Sequence, residues 1–282
     1  MNIMVTGAAG EYGTYALKYL KEFAANDNII AQVRDERKAG NLRKQGYEVR
    51  VADYSDFKGM KRILKDIDRL LFVSVSIPGI QKNVVDAAKE NGVKYIAYTS
   101  IFDPYRYKFG LEINHLQTEE WIKESGIAHT FLRDAWYTEL NQGLIKYAYQ
   151  TKEFPYIADK GVICTALKRE YAEAGARVIA GEDYPEIIEL CGRPYSYYEL
   201  GKAIEECLGE HIDMIHTTGD DALSRMIKGG VSEQWAQVSL AYQSYVNEDP
   251  IGEREADPSA FEEVLGHPLT SLSEAVKETV SQ

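Results

Sequence analysis

The chain has 282 residues, enough for one large domain or two modest ones, and a chain of this size buries roughly three-quarters of its unfolded surface. Hydrophobic residues at 45% and charged residues at 27% are ordinary globular usage and exclude a disordered or collagen-like chain. The net charge of −12 repels phosphate backbones and anionic lipids, which argues against general binding to nucleic acid or to a membrane surface.

The first residues, Asn2–Val5, read as a strand, with no basic n-region and no small-residue cleavage site, so no secretory signal is expected. The glycine-rich Thr6–Gly13 follows, then a helical pattern over Tyr12–Phe23 that puts Ala16, Leu17, Leu20 and Phe23 on one face. Further strand-length apolar runs are Asn28–Val33, Glu48–Val51, Arg69–Val73, Val93–Tyr98 and Ala128–Leu132. Between them, Asp56–Lys65, Ile80–Asn91 and Ile113–Ser125 have helical spacing, and Gly92 and Gly126 stand where left-handed C-caps belong. This alternation predicts an α/β fold, a doubly wound parallel sheet with right-handed crossovers. The uncharged run Leu70–Gln81 has twelve residues, short of the about 20 that span a bilayer. Beyond Arg133, helices are predicted at Tyr137–Gln150, Lys168–Ala180, Tyr197–Leu208, Asp220–Lys228, Ser232–Asn247 and Ser273–Val280, with a strand at Pro185–Leu190. The expected organisation is a nucleotide-binding domain over 1–150 and a smaller, mostly helical substrate domain over 151–282, with a soft boundary and Pro185–Leu190 free to return to the main sheet. Cys164, Cys191 and Cys207 are odd in number and lack CxxC spacing, which argues against a disulfide framework or a metal site and fits a reducing cytoplasm.

The loop between the first strand and the first helix carries the strongest chemistry. Gly7 lets the chain turn, Gly10 removes a side chain where a diphosphate must approach, and Gly13 allows close helix–sheet packing. Main-chain amides of Gly7, Ala8, Ala9, Gly10, Glu11, Tyr12 and Gly13, backed by the positive end of a helix dipole, make this a dinucleotide site. The second strand ends in Arg34, with no carboxylate at the strand end itself, and a guanidinium there suits a 2′-phosphate, so NADP(H) is expected over NAD(H). Asp53, after the third strand, is placed to accept from the adenine amino group.

Acid–base chemistry is thinner. Short-chain reductases usually carry Tyr-x-x-x-Lys on the helix after the fifth strand, and the three such spacings here, Tyr54/Lys58, Tyr156/Lys160 and Tyr198/Lys202, all lie elsewhere. The corresponding helix offers His115 with Glu119, and Ser100 closes the fifth strand where a substrate-polarising hydroxyl belongs. His115 is read either as an acid or substrate-positioning group or as a structural residue bonding its neighbours. This set suits acceptors such as quinones, which take a hydride at an electron-poor centre and draw protons from water.

Taken in order, Thr6–Gly13, Val33-Arg34, Ala52-Asp53-Tyr54, Tyr95–Ser100, His115 with Thr118-Glu119, Leu132–Tyr137 and the closing Leu265–Leu272 resemble the NmrA-like atypical short-chain dehydrogenase/reductases. The likeness is greatest to the branch of bacterial type 2 NADPH:quinone oxidoreductases and triphenylmethane reductases. It implies a Rossmann domain binding NADPH and a small C-terminal domain closing a hydrophobic slot. By position it sets Ser74, Val75 and Ser76 along the cofactor, Trp136 and Tyr137 at the nicotinamide or substrate, and Lys168 near where relatives carry an Arg touching the cofactor; Thr99 is counted with the cofactor residues, and Tyr137 joins Ser100 and His115 as a candidate for the chemistry. Asp134-Ala135 stands where relatives carry Asn-Gly. The expected function is an NADPH-dependent reductase of quinones or similar flat acceptors. The alternatives are an NADP(H)-sensing regulator without turnover and, further off, a nucleotide-sugar epimerase. No metal, nucleic acid or membrane partner is expected, and a homodimer is left open.

Overall fold

A computed structural model describes residues 1–248 and 253–281. Its strands and helices are, in chain order, β1 (Asn2–Val5), α1 (Glu11–Phe23), β2 (Asn28–Val33), α2 (Ala39–Lys44), β3 (Glu48–Val51), α3 (Phe57–Ile63), β4 (Arg69–Phe72), α4 (Gln81–Glu90), β5 (Tyr95–Ile101), α5 (Leu111–Ser125) and β6 (Ala128–Asp134). They continue with β7 (Trp136–Tyr137), α6 (Gln142–Thr151), β8 (Glu153–Tyr156), β9 (Val162–Ala166), α7 (Lys168–Ala180), β10 (Ile187–Leu190), β11 (Pro194–Ser196), α8 (Tyr197–Leu208), β12 (Asp213–His216), α9 (Gly219–Lys228), α10 (Glu233–Glu248), α11 (Ser259–Leu265) and α12 (Leu272–Ser281).

Two compact units emerge. The first comprises Met1–Asp134, Arg169–Leu190 and Ala260–His267, and the second Ala135–Lys168, Cys191–Ser259 and Pro268–Gln282. Residue 150 lies in α6, within the second unit.

The first unit is built on a seven-stranded parallel sheet in the order β10-β6-β5-β4-β1-β2-β3. The doubly wound reading holds, and the strand read at Pro185–Leu190 does return, pairing β10 with β6 from Ile187 opposite Phe131 to Leu190 opposite Asp134. The strand order reverses between β1 and β4, and it is at such a switch point, beyond the carboxyl ends of the strands, that open α/β sheets bind their ligands. The strands are apolar because helices cover both faces: Met4, Ile30, Leu70, Phe72, Ile96 and Phe131 share one buried cluster with Met60 and Ile63 of α3, Val84 and Ala88 of α4 and Ile122 of α5. Each such Leu, Ile or Phe contributes about 1.5–3 kcal/mol when fully buried.

Among the described residues, the second unit holds five helices of ten residues or more, a three-stranded sheet ordered β11-β9-β7 and a parallel pair of β12 with β8. The helix predicted from Tyr137 begins later. Trp136 and Tyr137 pair with Thr165 and Ala166 instead, a single tight turn follows over Thr138–Asn141, and α6 starts at Gln142. A two-residue strand of this kind exists only through its partner, so no periodicity announces it.

Candidate functional site

The glycine loop is held by a residue that carries no motif. Gln32, buried on β2, accepts from Gly7 N through Oε1 at 2.9 Å and from Ala8 N through its carbonyl at 3.0 Å, while its Nε2 donates to Ala52 O at 2.7 Å. One side chain thus ties β1, β2 and β3 together beneath the loop. Gly7 adopts φ +61°, a conformation costly for other residues. Gly10 N folds back to Gly7 O at 2.9 Å, and the first amide to bond within the helix is that of Thr14, to Gly10 O at 2.9 Å. The amides before it lie at the positive end of the α1 dipole. Ala8 is buried, Ala9 half-buried, and Gly7 and Gly10 are exposed, so bare main chain faces outward.

Gly13 is the tightest point. A Cβ there would stand 2.5 Å from Gly7 O and 2.6 Å from the Ala8 Cα, both backbone atoms that cannot swing aside. Gly13→Ala is therefore expected to cost about 1–3 kcal/mol through overpacking and to weaken dinucleotide binding by displacing the loop. Thermal unfolding together with a fluorescence titration of NADPH checks both effects.

At the end of β2, Arg34 is exposed and has no hydrogen bond or ion pair among the described residues. Neighbouring Asp35 is engaged by Arg37, which donates to it from its amide at 3.0 Å and from its guanidinium at 3.3 Å. Asp53 is half-buried, and its Oδ1 accepts from the Ser55 hydroxyl at 2.5 Å and amide at 2.8 Å, bonds that hold its carboxyl below the usual range. The exposed glycine-rich main chain at the positive end of α1, the unshared guanidinium and the occupied carboxylates fit a phosphorylated dinucleotide.

Past β4 the main chain is clamped at successive residues. Val73 N donates to Thr6 Oγ1 at 2.9 Å, and Val73 O accepts from the Tyr54 hydroxyl at 2.8 Å. Ser74 N donates to Thr99 Oγ1 at 2.9 Å, and that hydroxyl donates onward to Ser74 Oγ at 3.1 Å. Val75 N donates to Gln81 Oε1 at 3.0 Å, and Val75 O accepts from Asn114 Nδ2 at 2.8 Å. Ser74, Val75 and Thr99 are thereby brought together, with Thr99 buried behind Ser74, while Ser76 is exposed.

Strand and helix periods decide what meets across β5 and α5. Residues two apart on β5 and four apart on α5 each share a face. Tyr98 and Ser100 accordingly face His115 and Glu119: the Tyr98 hydroxyl lies 3.1 Å from His115 Nδ1, and the Ser100 hydroxyl donates to Glu119 Oε1 at 2.6 Å. Glu119 is further held by Arg133, whose Nε and Nη2 reach its two oxygens at 3.0 and 2.8 Å, and Arg133 Nη1 reaches Glu189 of β10 at 3.0 Å. Burial pushes the His115 imidazole down to about 4, against opposing pulls from Glu119 and Glu112. His115 is therefore neutral at pH 7, with its Nδ1 within hydrogen-bond distance of the Tyr98 hydroxyl. Ser100 is bound to a carboxylate.

In the second unit, Trp136 is buried, its Nε1 donating to Glu253 at 3.1 Å and its ring meeting the edge of Tyr242 at a centroid distance of 4.8 Å. The residue expected at a substrate wall is thus an interior anchor. Tyr137 is half-buried, with Lys168 Nζ 5.2 Å from its ring centroid, and Glu139 accepts from Lys168 N at 3.0 Å. Among the described residues no group of three or more His, Cys, Asp or Glu side chains could hold a metal ion, and no helix is long and apolar enough to cross a membrane.

Comparison with known proteins supports this geometry. A family model described as NAD(P)H-binding matches residues 7–158. The chain is 30% identical over 280 residues to quinone oxidoreductase 2 of Escherichia coli (strain K12), covering 97% of each chain. Among solved structures it is similar to Citrobacter sp. triphenylmethane reductase complexed with NADP(H), at TM-score 0.87 and 29% identity over 98% of this chain and 99% of that one. It is also similar to the Escherichia coli NADPH-dependent quinone oxidoreductase complexed with NADPH, at TM-score 0.85 and 30% identity over 98% of this chain and 99% of that one. Matched over more than half its length by that model and nearly throughout by such a relative, the chain belongs to the NAD(P)H-binding family, alongside quinone oxidoreductase 2.

Proposed function

We propose that the protein is an NADPH-dependent reductase that passes hydride to quinones or similar flat conjugated acceptors. The observation that carries the reading is the unshared Arg34 guanidinium at the end of β2, on the strand next to the one that leads into a loop of bare main chain. NADPH, when bound, supplies the hydride. Gly7, Ala8, Ala9, Gly10, Glu11, Tyr12 and Gly13 hold its diphosphate, Arg34 takes the 2′-phosphate, and the second oxygen of Asp53 serves the adenine amino group. The clamped segment Ser74–Ser76 lines the cofactor, with Thr99 acting through Ser74. Tyr137, backed by Lys168, is the ring offered to the acceptor, and Trp136 acts from the interior by fixing the strand that carries Tyr137. Catalysis rests on positioning, which well-held near-attack geometry supplies. Ser100 and His115 position β5 against α5, and the reduced acceptor draws its protons from water. The free thiols Cys164, Cys191 and Cys207 accord with a reducing compartment such as the cytoplasm.

Loss of NADPH absorbance on adding menadione or benzoquinone tests the reading. The rate is expected to show no step near the ordinary histidine value of 6.5, because His115 takes up its proton only towards 4. A step near 6.5 that disappears in His115→Gln would restore His115 as the acid. NADPH binding without consumption across a panel of quinones and dyes would favour the sensing role instead.

A further inference from the structure

One polar atom of the first unit stands out by what it lacks. Asn114, on the first turn of α5, is 6% exposed, and its Oδ1 is buried with no hydrogen-bond partner among the described residues. The orientation of the amide is settled by its other end, because Val75 O accepts only a donor and so takes Nδ2 at 2.8 Å, turning Oδ1 away. Buried acceptors are nearly always satisfied, and leaving one unmade costs about 1–3 kcal/mol. On the clamped segment Val73 N and O, Ser74 N, and Val75 N and O are all bonded. What Asn114 Oδ1 lacks is a donor.

The sheet order says which part of a dinucleotide brings that donor. Arg34 and Asp53, which serve the adenosine, follow β2 and β3, and the diphosphate loop follows β1. In the order β10-β6-β5-β4-β1-β2-β3, the remaining half of the molecule runs to the opposite side of β1, over the ends of β4 and β5, where Asn114 is fastened to Val75. Phosphates at neutral pH carry no donors, whereas the nicotinamide carboxamide carries two N–H groups. We propose that Asn114 Oδ1 accepts a hydrogen bond from the carboxamide N–H of the nicotinamide ring, making Asn114 the residue that sets the rotation of the ring relative to the clamped segment. The proposal rests on the cofactor reading above.

Calorimetric titration with three ligands tests it: NADP+, its 3-acetylpyridine analogue, in which a methyl ketone replaces the carboxamide, and 2′,5′-ADP, which has only the adenosine half. The wild-type protein is expected to bind NADP+ about tenfold more tightly than the analogue, the fold-change of one hydrogen bond. Asn114→Ala should bind the two alike, with its affinity for 2′,5′-ADP unchanged. Asn114→Asp, which keeps an acceptor oxygen, should retain the preference for the carboxamide. Equal losses on NADP+ and the analogue would mean that Asn114 merely props Val75 or meets a ribose hydroxyl, and would overturn the proposal. Loss of the preference in Asn114→Asp, or weakened 2′,5′-ADP binding in Asn114→Ala, would do the same. A wild-type protein that bound neither NADP+ nor 2′,5′-ADP would bring down the cofactor reading as well.

Discussion

Replacing Arg133 by Met is expected to lower the stability of the protein by about 3–5 kcal/mol. The Arg133 side chain is 5% exposed and that of Glu119 2%, so the pair is charge held away from water. Such a pair adds little compared with apolar residues of the same volume, because desolvation offsets most of the attraction. Removing one partner is another matter. Without the guanidinium, Glu119 keeps only the Ser100 hydroxyl among the bonds seen here, and a buried carboxylate left this way must either stay charged at great cost or take up a proton. Glu189, 39% exposed, can turn to solvent and suffers less. Urea unfolding of Arg133→Met checks the size of the effect. The double variant Arg133→Met/Glu119→Gln should recover much of the loss, since the side-chain amide it introduces can still accept from Ser100 without carrying a charge. A single variant within about 1 kcal/mol of the wild type would show that water already reaches the pair.

Arg34→Ala should weaken NADPH binding by about 10- to 100-fold while leaving NADH nearly unchanged. A hydrogen bond between charged groups contributes about 1.5–3 kcal/mol, and the guanidinium fork matches the oxygens of a phosphate. Arg34 has no carboxylate partner to release, so its removal leaves no orphaned charge behind. Stability should therefore hold, and the two cofactors should separate in their KM values. Equal responses of NADPH and NADH would show that Arg34 does not meet the 2′-phosphate.

The sheet was legible because its strands are covered on both faces. Asn2–Val5 and Asn28–Val33 run where their apolar stretches place them, the edge strand Glu48–Val51 shows only its alternation of charge and valine, and the glycines give away the loop they shape. The residues that hold the site were not legible. Gln32, Gln81 and Asn114 are single polar side chains in amphipathic segments, and their partners lie 25, 37 and 39 residues away in the cases of Gly7, Thr118 and Val75. Nothing local distinguishes them from surface glutamines and asparagines. His115 and Ser100 were visible as residue types, but which groups they would meet depended on α5 packing over β5. Trp136 was set at the nicotinamide or substrate by the family resemblance alone. Its indole is turned inward by Glu253, 117 residues further along the chain, a pairing no spacing rule reveals.

The first unit is assembled from three separate stretches of chain, the last ending at His267. During ribosomal synthesis, then, the early βα repeats lack β10 and its Glu189, and the unit is whole only after His267 has emerged. A nascent chain stopped at Asp134 would leave the outer edge of β6 bare and Arg133 short of one of its two carboxylates. The unit whose βα repeats are made early is completed only after Ala135–Lys168 and Cys191–Ser259 of the other unit have been translated.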